Sequence, residues 1–157
     1  MKSNSNSITI IVPLKGREHY TRQFIKANIY DHYNYIFADV SLSDGHENIF
    51  KSINKQNITY IRFEADVDIS NYLIKMNKVF ESVTTPYSMT VDNDDFILDV
   101  GIQKLFNELN ENENIIGTSG KLLLNKELEN SKYSYPKATN SSAHLSDLCG
   151  EDGIRLF

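Results

Sequence analysis

Cysteine is nearly absent from this chain, since Cys149 is the only one among its 157 residues. A single cysteine excludes an internal disulfide and a cysteine-rich zinc site, and it fits a reducing compartment. Long apolar runs are absent as well. The polar start MKSNSNS leads only into the short run ITIIV, which is too short for a signal peptide or a membrane span. We therefore expect a soluble, cytoplasmic protein.

An excess of positive charge is also lacking. The formal net charge is −5, and the lysines and arginines are scattered along the chain. Nucleic acids and anionic membranes both require a concentrated basic surface, so neither is an expected partner. A chain of this length buries about two-thirds of its unfolded surface, which makes one globular domain the default.

Several catalytic signatures are missing too. The sequence contains no GxxxxGK[ST] segment, no GxGxxG and no GxSxG. Its four histidines do not show the spacing of zinc ligands. A P-loop, a dinucleotide fingerprint and a serine nucleophile elbow are therefore not expected. The four histidines are His19, His32, His46 and His144.

What the chain does contain is a regular alternation of strand and helix patterns. Apolar, β-branched runs predict strands in ITIIV, YNYIFADVS, ITYIRF, PYSMTV and NIIGTSGKLLL. Helical spacing predicts helices between them, over residues 17–30, 44–53, 69–80 and 100–109. This alternation is typical of an α/β fold, and we expect a Rossmann-like, doubly wound, mostly parallel sheet. The predicted divisions are a flexible tail at 1–7, an α/β domain at 8–124 and a polar, irregular segment at 125–157.

The predicted helices carry two further expectations. Asp44 and Glu47 have the spacing of a capping box at the start of the second helix. Apolar residues at helical spacing are expected to face inward on the first and third helices. These inward residues are Tyr20, Phe24, Ala27, Ile69, Leu73, Met76 and Phe80.

Polar groups follow three of the predicted strands. They are the PLKGR loop after the first strand, Asp39 with Ser41 after the second, and Asp92 to Asp95 after the fourth. In an open α/β sheet, ligands bind at the carboxyl ends of strands, where the strand order reverses. A strand order of 3-2-1-4 would bring all three groups to one crevice, so the pattern predicts a binding site there.

The acidic group ends the segment TTPYSMTVDNDDFIL, residues 84–98. Two carboxylates about 5 Å apart repel by roughly 3 kcal/mol at an effective dielectric constant near 20, so a cation is expected nearby. Carboxylates suit Mg²⁺ or Mn²⁺, which would in turn hold a phosphate. A solvated turn at the start of the next helix, where acidic residues are favourable, is about as probable. Both interpretations remain open on spacing alone.

The other charged residues have structural alternatives as well. Lys15 and Arg17 beside Gly16 suit a phosphate or an exposed basic turn about equally. Asp39 has the ordinary role of satisfying nearby backbone amides, and Lys75 that of a surface lysine. Three alternating acidic residues after the third strand are interpreted as a solvated loop, although they resemble a second metal site. They are Glu64, Asp66 and Asp68.

Taken together, ITIIVPLKGRE, YIFADVS and TTPYSMTVDNDDFIL resemble the N-terminal half of a GT-A-type bacterial glycosyltransferase of the family-2-like group. The likeness extends over about residues 8–98. It implies that the loop after the first strand and Asp39 hold a nucleotide, with Asp39 accepting from the base. It implies a DxD element in which Asp92 and Asp94 bind Mn²⁺ or Mg²⁺, supported by Asp95. The remaining residues implied to contact the donor are Pro13, Leu14, Lys15, Arg17, Ser41, Lys75 and Asn93.

The resemblance predicts a glycosyltransferase that moves a hexosyl or related sugar from a nucleotide-diphosphate sugar to a glycan or lipid-linked acceptor in polysaccharide biosynthesis. GT-A enzymes place the acceptor site and general base in their second half, so no catalytic base is predicted here. Two alternatives remain open. One is a non-catalytic module that binds nucleotide sugars or a partner protein, and the other is a sugar nucleotidyltransferase.

Overall fold

Strands and helices alternate along the chain as the sequence predicts. The computed structural model of the protein describes residues 7–112, 114–119 and 141–144. The elements are β1 (Ile8–Leu14), α1 (Glu18–Asn28), β2 (Asn34–Asp39), α2 (Gly45–Lys51), β3 (Ile58–Arg62), α3 (Ile69–Glu81), β4 (Tyr87–Thr90), α4 (Asp99–Glu111), β5 (Ile115–Ser119) and β6 (Ser141–His144).

The first four strands form one sheet in the order β3-β2-β1-β4. All three neighbouring pairs are parallel, with Leu14 of β1 opposite Asp39 of β2 and Ile11 of β1 opposite Thr90 of β4. The strand order is thus the one that would bring the three polar groups to one crevice, and the predicted α/β class of a mostly parallel sheet is confirmed. Because β1 lies between β2 and β4, the loops that follow these three strands leave the same edge of the sheet.

Helices cover both faces of this sheet. On one face, Met76 and Val79 of α3 pack in a buried cluster with Ile11, Ile36 and Ala38. On the other face, the ring of Phe37 contacts Phe24 of α1 and Phe50 of α2. Full burial of one such side chain stabilises the fold by roughly 1.5–3 kcal/mol, so these two layers fix the positions of the strand ends.

The predicted inward stripe of α3 is largely wrong. Met76 is buried, but Ile69, Leu73 and Phe80 are exposed. The buried positions of α3 are Lys75, Met76 and Val79. A lysine therefore takes a core position that the pattern had given to apolar residues, because its charge is neutralised by a buried acidic partner described below.

Two predictions for α1 and α2 also need correction. Phe24 is buried as expected, but Tyr20 and Ala27 are exposed. The capping box at α2 does not form, since the side chain of Asp44 caps no backbone amide. Asp44 and Glu47 instead accept hydrogen bonds from the guanidinium group of Arg62 at 2.6 and 2.8 Å. The charged donor on β3 competes successfully with a backbone N–H group.

Two compact units divide the chain between Phe96 and Ile97. The first contains the four-stranded sheet. In the second, α4 buries Ile102 and Phe106, and β5 pairs with β6 in an antiparallel ladder. The short strand β6 falls within the segment predicted to be irregular. The rest of that segment, the tail at 1–6 and the predicted strand residues 120–124 lie outside the described residues, and the predicted domain limits stay predictions.

Candidate functional site

Three loops meet at the carboxyl edge of the parallel sheet. The backbone N–H of Gly16, after β1, donates to the hydroxyl of Ser41, after β2, at 2.7 Å. Arg17 contacts Asp94, after β4, with 2.6 Å between Nη1 and Oδ2. The structure thus brings together the three polar groups that the sequence predicts at this edge. The loop after β1 lies in the middle and touches both of its neighbours.

Asp39 is fully buried at the end of β2. Its Oδ1 accepts hydrogen bonds from the backbone and hydroxyl of Ser41 and lies 3.2 Å from His46 Nδ1. Its Oδ2 accepts from the hydroxyl of Tyr60 at 2.7 Å. Burial alone would raise the pKa of Asp39, but the hydrogen bonds from His46, Ser41 and Tyr60 outweigh it and hold the pKa well below its usual range. Asp39 is therefore a buried carboxylate anion.

This environment limits what Asp39 can contact. Both of its oxygens are engaged by protein donors, and Tyr60 covers Oδ2. Burial, followed by the hydrogen bond to Asp39, raises the pKa of Tyr60, so its hydroxyl remains a donor. A ligand that takes a hydrogen bond to Oδ2 must displace the Tyr60 hydroxyl. Asp39 also has the structural role that the sequence analysis assigned to it, because it accepts a hydrogen bond from the backbone amide of Ser41.

The loop after β1 has an unusual backbone. Gly16 has a φ of 64° and Arg17 a φ of 61°, and Arg17 is the only non-glycine residue with a positive φ among the described residues. The left-handed conformation costs a residue with a side chain about 1–3 kcal/mol. Arg17 nevertheless holds it at the start of α1, where its carbonyl accepts from the amide of Tyr20. This conformation directs the Arg17 side chain to Asp94.

Pro13 and Leu14 belong to β1 itself. Pro13 is half-buried opposite Ala38, and the side chain of Leu14 is buried. The carbonyl of Leu14 accepts from the amide of Val40 at 3.0 Å. Neither residue therefore offers a side-chain polar group to a ligand, and their contact with the donor stays a prediction.

The acidic residues after β4 form a turn, in which the amide of Asp95 donates to the carbonyl of Asp92 at 3.2 Å. Asp92 and Asp94 are exposed, whereas Asn93 between them is buried. The side chain of Asn28 on α1 holds the turn by donating to the carbonyl of Asp95 at 2.9 Å. The backbone is thus a turn and not the extended strand that would align Asp92 and Asp94.

The turn carries more negative charge than its surroundings neutralise. Burial, and then the charges of Asp92 and Asp94, raise the pKa of Asp95. Arg17 supplies one positive charge to Asp94. Within the described parts of the chain, no group of three or more metal-ligating side chains is close enough to hold an ion. The structure therefore does not gather Asp92, Asp94 and Asp95 into one ligand set.

Asp92 and Asp94 are the two residues of this turn whose chemistry suits a divalent ion. Asp92 and Asp94 present exposed carboxylates, the hard oxygen donors that Mg²⁺ and Mn²⁺ prefer, and Mg²⁺ is commonly bound through one or two carboxylates plus phosphate and water. The pKa of Asp95 is raised first by burial and then by the charges of Asp92 and Asp94, and a cation at the turn would offset the second cause. Asp92 and Asp94 as metal ligands stay a prediction.

Lys75 lies in a buried ion pair. Its side chain is 4% exposed and that of Asp66 is 8% exposed, with 2.9 Å between Nζ and Oδ2. The ammonium also lies 4.8 Å from the ring centre of Tyr72. Lys15 reaches the same loop, donating to the carbonyl of Asp66 at 3.0 Å. The sequence analysis interpreted Lys75 as an ordinary surface lysine and Asp66 as part of a solvated loop. Both interpretations are wrong, because the two side chains are buried together.

Four site residues escaped the sequence analysis: Thr21, Asn28, His46 and Tyr60. Thr21 and Asn28 share a buried stripe of α1 with Phe24, at spacings of three and four residues. Extending the helical pattern to polar residues would have found both of them. For His46 and Tyr60 the sequence offers no such signal, because their contacts with Asp39 cross between separate elements.

Comparison with known proteins places the chain in a family. Residues 9–138 match the model of glycosyl transferase family 2, which is most of the chain. The protein therefore belongs to glycosyl transferase family 2. This agrees with the parallel sheet and the loops gathered at its carboxyl edge, and it confirms the family part of the resemblance.

A solved structure of TarS from S. aureus, residues 1–349, shares the fold. The match has a TM-score of 0.54 at 17% sequence identity, and it covers 67% of this chain and 32% of the TarS chain. This chain thus spans about a third of the structure it resembles. None of the curated proteins compared with the chain matches it. No helix within the described residues is long and apolar enough to cross a membrane.

Proposed function

We propose that this chain is the donor-binding part of a metal-dependent glycosyltransferase, which takes a sugar from a nucleotide-diphosphate sugar. The observation that carries the proposal is the contact between Arg17 and Asp94. It joins the loop after β1 to the acidic turn after β4, at the point where the strand order reverses. A cation and two carboxylates at this point suit a diphosphate and its divalent ion.

Each residue then has a distinct task. Arg17 and Lys15 hold diphosphate oxygens, since the guanidinium group pairs well with phosphate. Asp39 and Ser41 lie at the base end, where Asp39 accepts from the base once Tyr60 has moved from Oδ2. Asp92 and Asp94 hold Mn²⁺ or Mg²⁺, supported by Asp95. When bound, the ion supplies charge neutralisation to the departing nucleoside diphosphate.

Lys75 has an indirect part in this proposal. Its ammonium is engaged by Asp66 and buried, so it supports the loop after β3 that Lys15 also reaches. Contact with the donor requires that this ion pair opens. The acceptor, a glycan or a lipid-linked glycan of polysaccharide biosynthesis, and the cytoplasmic location remain predictions.

A donor-hydrolysis assay tests the proposed activity. UDP-, GDP- and dTDP-sugars are incubated with the chain, with and without Mn²⁺ or Mg²⁺, and release of nucleoside diphosphate is measured. We expect metal-dependent release from one donor class and a loss of at least about 100-fold in Asp94→Asn, or roughly 2.7 kcal/mol in the barrier. Asp31→Asn is the matched control, because Asp31 forms an exposed ion pair with Lys55 away from the site.

Measurements of nucleotide binding and of pyrophosphate release separate the two alternative functions. Nucleotide binding without turnover, even with a good acceptor, would identify a non-catalytic module. Pyrophosphate release from a nucleoside triphosphate and a sugar phosphate would identify a nucleotidyltransferase. No binding and no release with any donor would contradict the proposal.

Replacing Arg17 by glycine is expected to separate stability from binding. Glycine adopts the left-handed backbone without the steric cost of about 1–2 kcal/mol. The lost ion pair is exposed and worth about 1 kcal/mol or less. We expect a free energy of unfolding within about 1 kcal/mol of the wild type, with nucleoside diphosphate affinity reduced about tenfold. Urea unfolding and calorimetry measure the two quantities.

Arg17→Lys is the comparison variant, since it keeps both the charge and the backbone strain. We expect it to bind more tightly than Arg17→Gly. Unchanged nucleotide affinity in Arg17→Gly would remove Arg17 from the proposed site.

A further inference from the structure

A buried chain of hydrogen bonds connects the acidic turn to the end of β2. The side-chain Nδ2 of Asn93 donates to Thr21 Oγ1 at 2.9 Å. Thr21 Oγ1 lies 2.9 Å from His46 Nε2, and His46 Nδ1 lies 3.2 Å from Asp39 Oδ1. Asn93 is 4% exposed and the other three residues are fully buried. Two helices thus link the loops at the proposed diphosphate and base ends.

The directions of the hydrogen bonds around Asp39 follow from the groups that surround it. Ser41 Oγ accepts from Gly16 and donates to Asp39, and Asp39 is an anion that only accepts. His46 Nδ1, 3.0 Å from Ser41 Oγ, must therefore carry a hydrogen. At the other end, the Thr21 hydroxyl accepts from Asn93 and also forms a hydrogen bond with His46 Nε2. His46 therefore contributes Nδ1–H to the Asp39 end of the network and Nε2 to the Thr21 end.

We propose that Thr21 and His46 are positioning residues that hold the acidic turn in register with Asp39. This inference rests on the proposed function, because it concerns the two ends of the same donor site. Turning the Asn93 side chain away would break its hydrogen bond to the buried Thr21 hydroxyl and would leave a buried amide without this acceptor, which is costly. Asp92 and Asp94 flank Asn93, so the buried amide fixes the orientation of the turn that displays them.

Conservative variants can remove single hydrogen bonds from this buried series. Thr21→Val removes the hydroxyl but keeps the shape, and Thr21→Ser restores the hydroxyl. His46→Asn keeps an N–H group near the Nδ1 position, facing Asp39, and loses the contact with Thr21. Thr9→Val is the matched control: Thr9 is also buried, and its hydroxyl pairs with Thr85 at 2.7 Å on the opposite end of β1.

Nuclear magnetic resonance tests the connection without any ligand. We expect His46 to carry a hydrogen on Nδ1 in long-range ¹H–¹⁵N spectra. We expect Thr21→Val to change the backbone amide chemical shifts of both Asn93 and Ser41. Thr21→Ser and Thr9→Val are expected to leave these chemical shifts unchanged. A His46 ring without a hydrogen on Nδ1, or a Ser41 signal that does not respond to Thr21→Val, would overturn the proposal.

Nucleotide binding tests the consequence for the site. With Mn²⁺ and whichever of UDP, GDP, CDP and dTDP binds the wild type, we expect Thr21→Val and His46→Asn to raise the dissociation constant about tenfold. Thr21→Ser and Thr9→Val should stay within about twofold of the wild type. Equal losses in Thr21→Val and Thr9→Val would overturn the positioning role. If the wild type binds none of the four nucleotides, the proposed function fails, and the resonance measurements still decide whether the connection exists.

Discussion

Asp39→Ala is expected to lower the free energy of unfolding by about 3–5 kcal/mol. The change removes a buried anion and leaves donors of Ser41, His46 and Tyr60 without their acceptor. Domains of this kind have a total stability of about 5–15 kcal/mol, so the loss is a large fraction of it. Urea unfolding of the two proteins measures the difference.

Two further variants keep the prediction testable if Asp39→Ala does not fold. Asp39→Asn keeps the shape of the side chain and is expected to cost less than Asp39→Ala. Asp31→Ala removes an acidic residue whose side chain is 88% exposed, in an ion pair with Lys55, and should change stability by no more than about 1 kcal/mol. Equal effects of Asp39→Ala and Asp31→Ala would contradict the buried network.

The stability difference between wild type and Asp39→Asn is also expected to depend on pH. The hydrogen bonds to Asp39 keep its pKa in the folded protein below the ordinary value of about 3.9. The unfolded chain therefore takes up the proton first as the pH falls. The contribution of Asp39 is present above about pH 4 and is lost progressively below it. A difference that does not change between pH 6 and pH 3 would contradict the lowered pKa.

Lys75→Met is expected to destabilise the protein by about 3–5 kcal/mol, because it leaves the buried carboxylate of Asp66 without its counter-charge. Removing both charges, in Asp66→Leu with Lys75→Met, should recover much of that loss. The double-mutant cycle is measured by chemical unfolding. Lys78→Met is the matched control, since Lys78 is an exposed lysine in the same helix.

Additive effects of the two substitutions in this cycle would contradict the ion pair. A loss for Lys78→Met as large as that for Lys75→Met would attribute the effect to the helix and not to the pair.

The sequence predicts the framework of this fold well, for a physical reason. Strands such as ITIIV and YIFAD are buried on both faces, so their near-continuous apolar runs are unambiguous. The polar groups directly after β1, β2 and β4 then have to share one edge of the sheet. That placement requires only the strand order, which the structure confirms.

Side-chain partners were predicted less well, because they depend on contacts between distant segments. Lys75 and Asp66 look like surface charges one at a time and become a core pair only when α3 packs on the sheet. Asp44 and Glu47 have the spacing of a capping box, yet Arg62 on another strand takes both carboxylates. The same limit hid His46 and Tyr60, whose meeting with Asp39 joins α2, β3 and β2.

The chemistry of the acidic turn lies between these two cases. Its crowding of carboxylates predicts a nearby cation, and the structure supplies one in Arg17. The pKa of Asp95 is nevertheless raised, first by burial and then by the charges of Asp92 and Asp94, and a second cation would offset that repulsion. Whether Asp92 and Asp94 take a metal together with a nucleotide is thus the central question about this site.

Thermal unfolding in the presence of ligands answers it most directly. Wild type, Asp94→Asn and Asp31→Asn are heated with UDP, GDP, CDP or dTDP, each with and without Mn²⁺. A ligand at 100 times its dissociation constant stabilises the fold by about 2.7 kcal/mol, which raises Tm visibly. We expect a rise that requires both Mn²⁺ and one particular nucleotide, is absent in Asp94→Asn and is retained in Asp31→Asn. No rise with any pair, or a rise that is the same in Asp94→Asn, would contradict a metal-dependent donor site at the acidic turn.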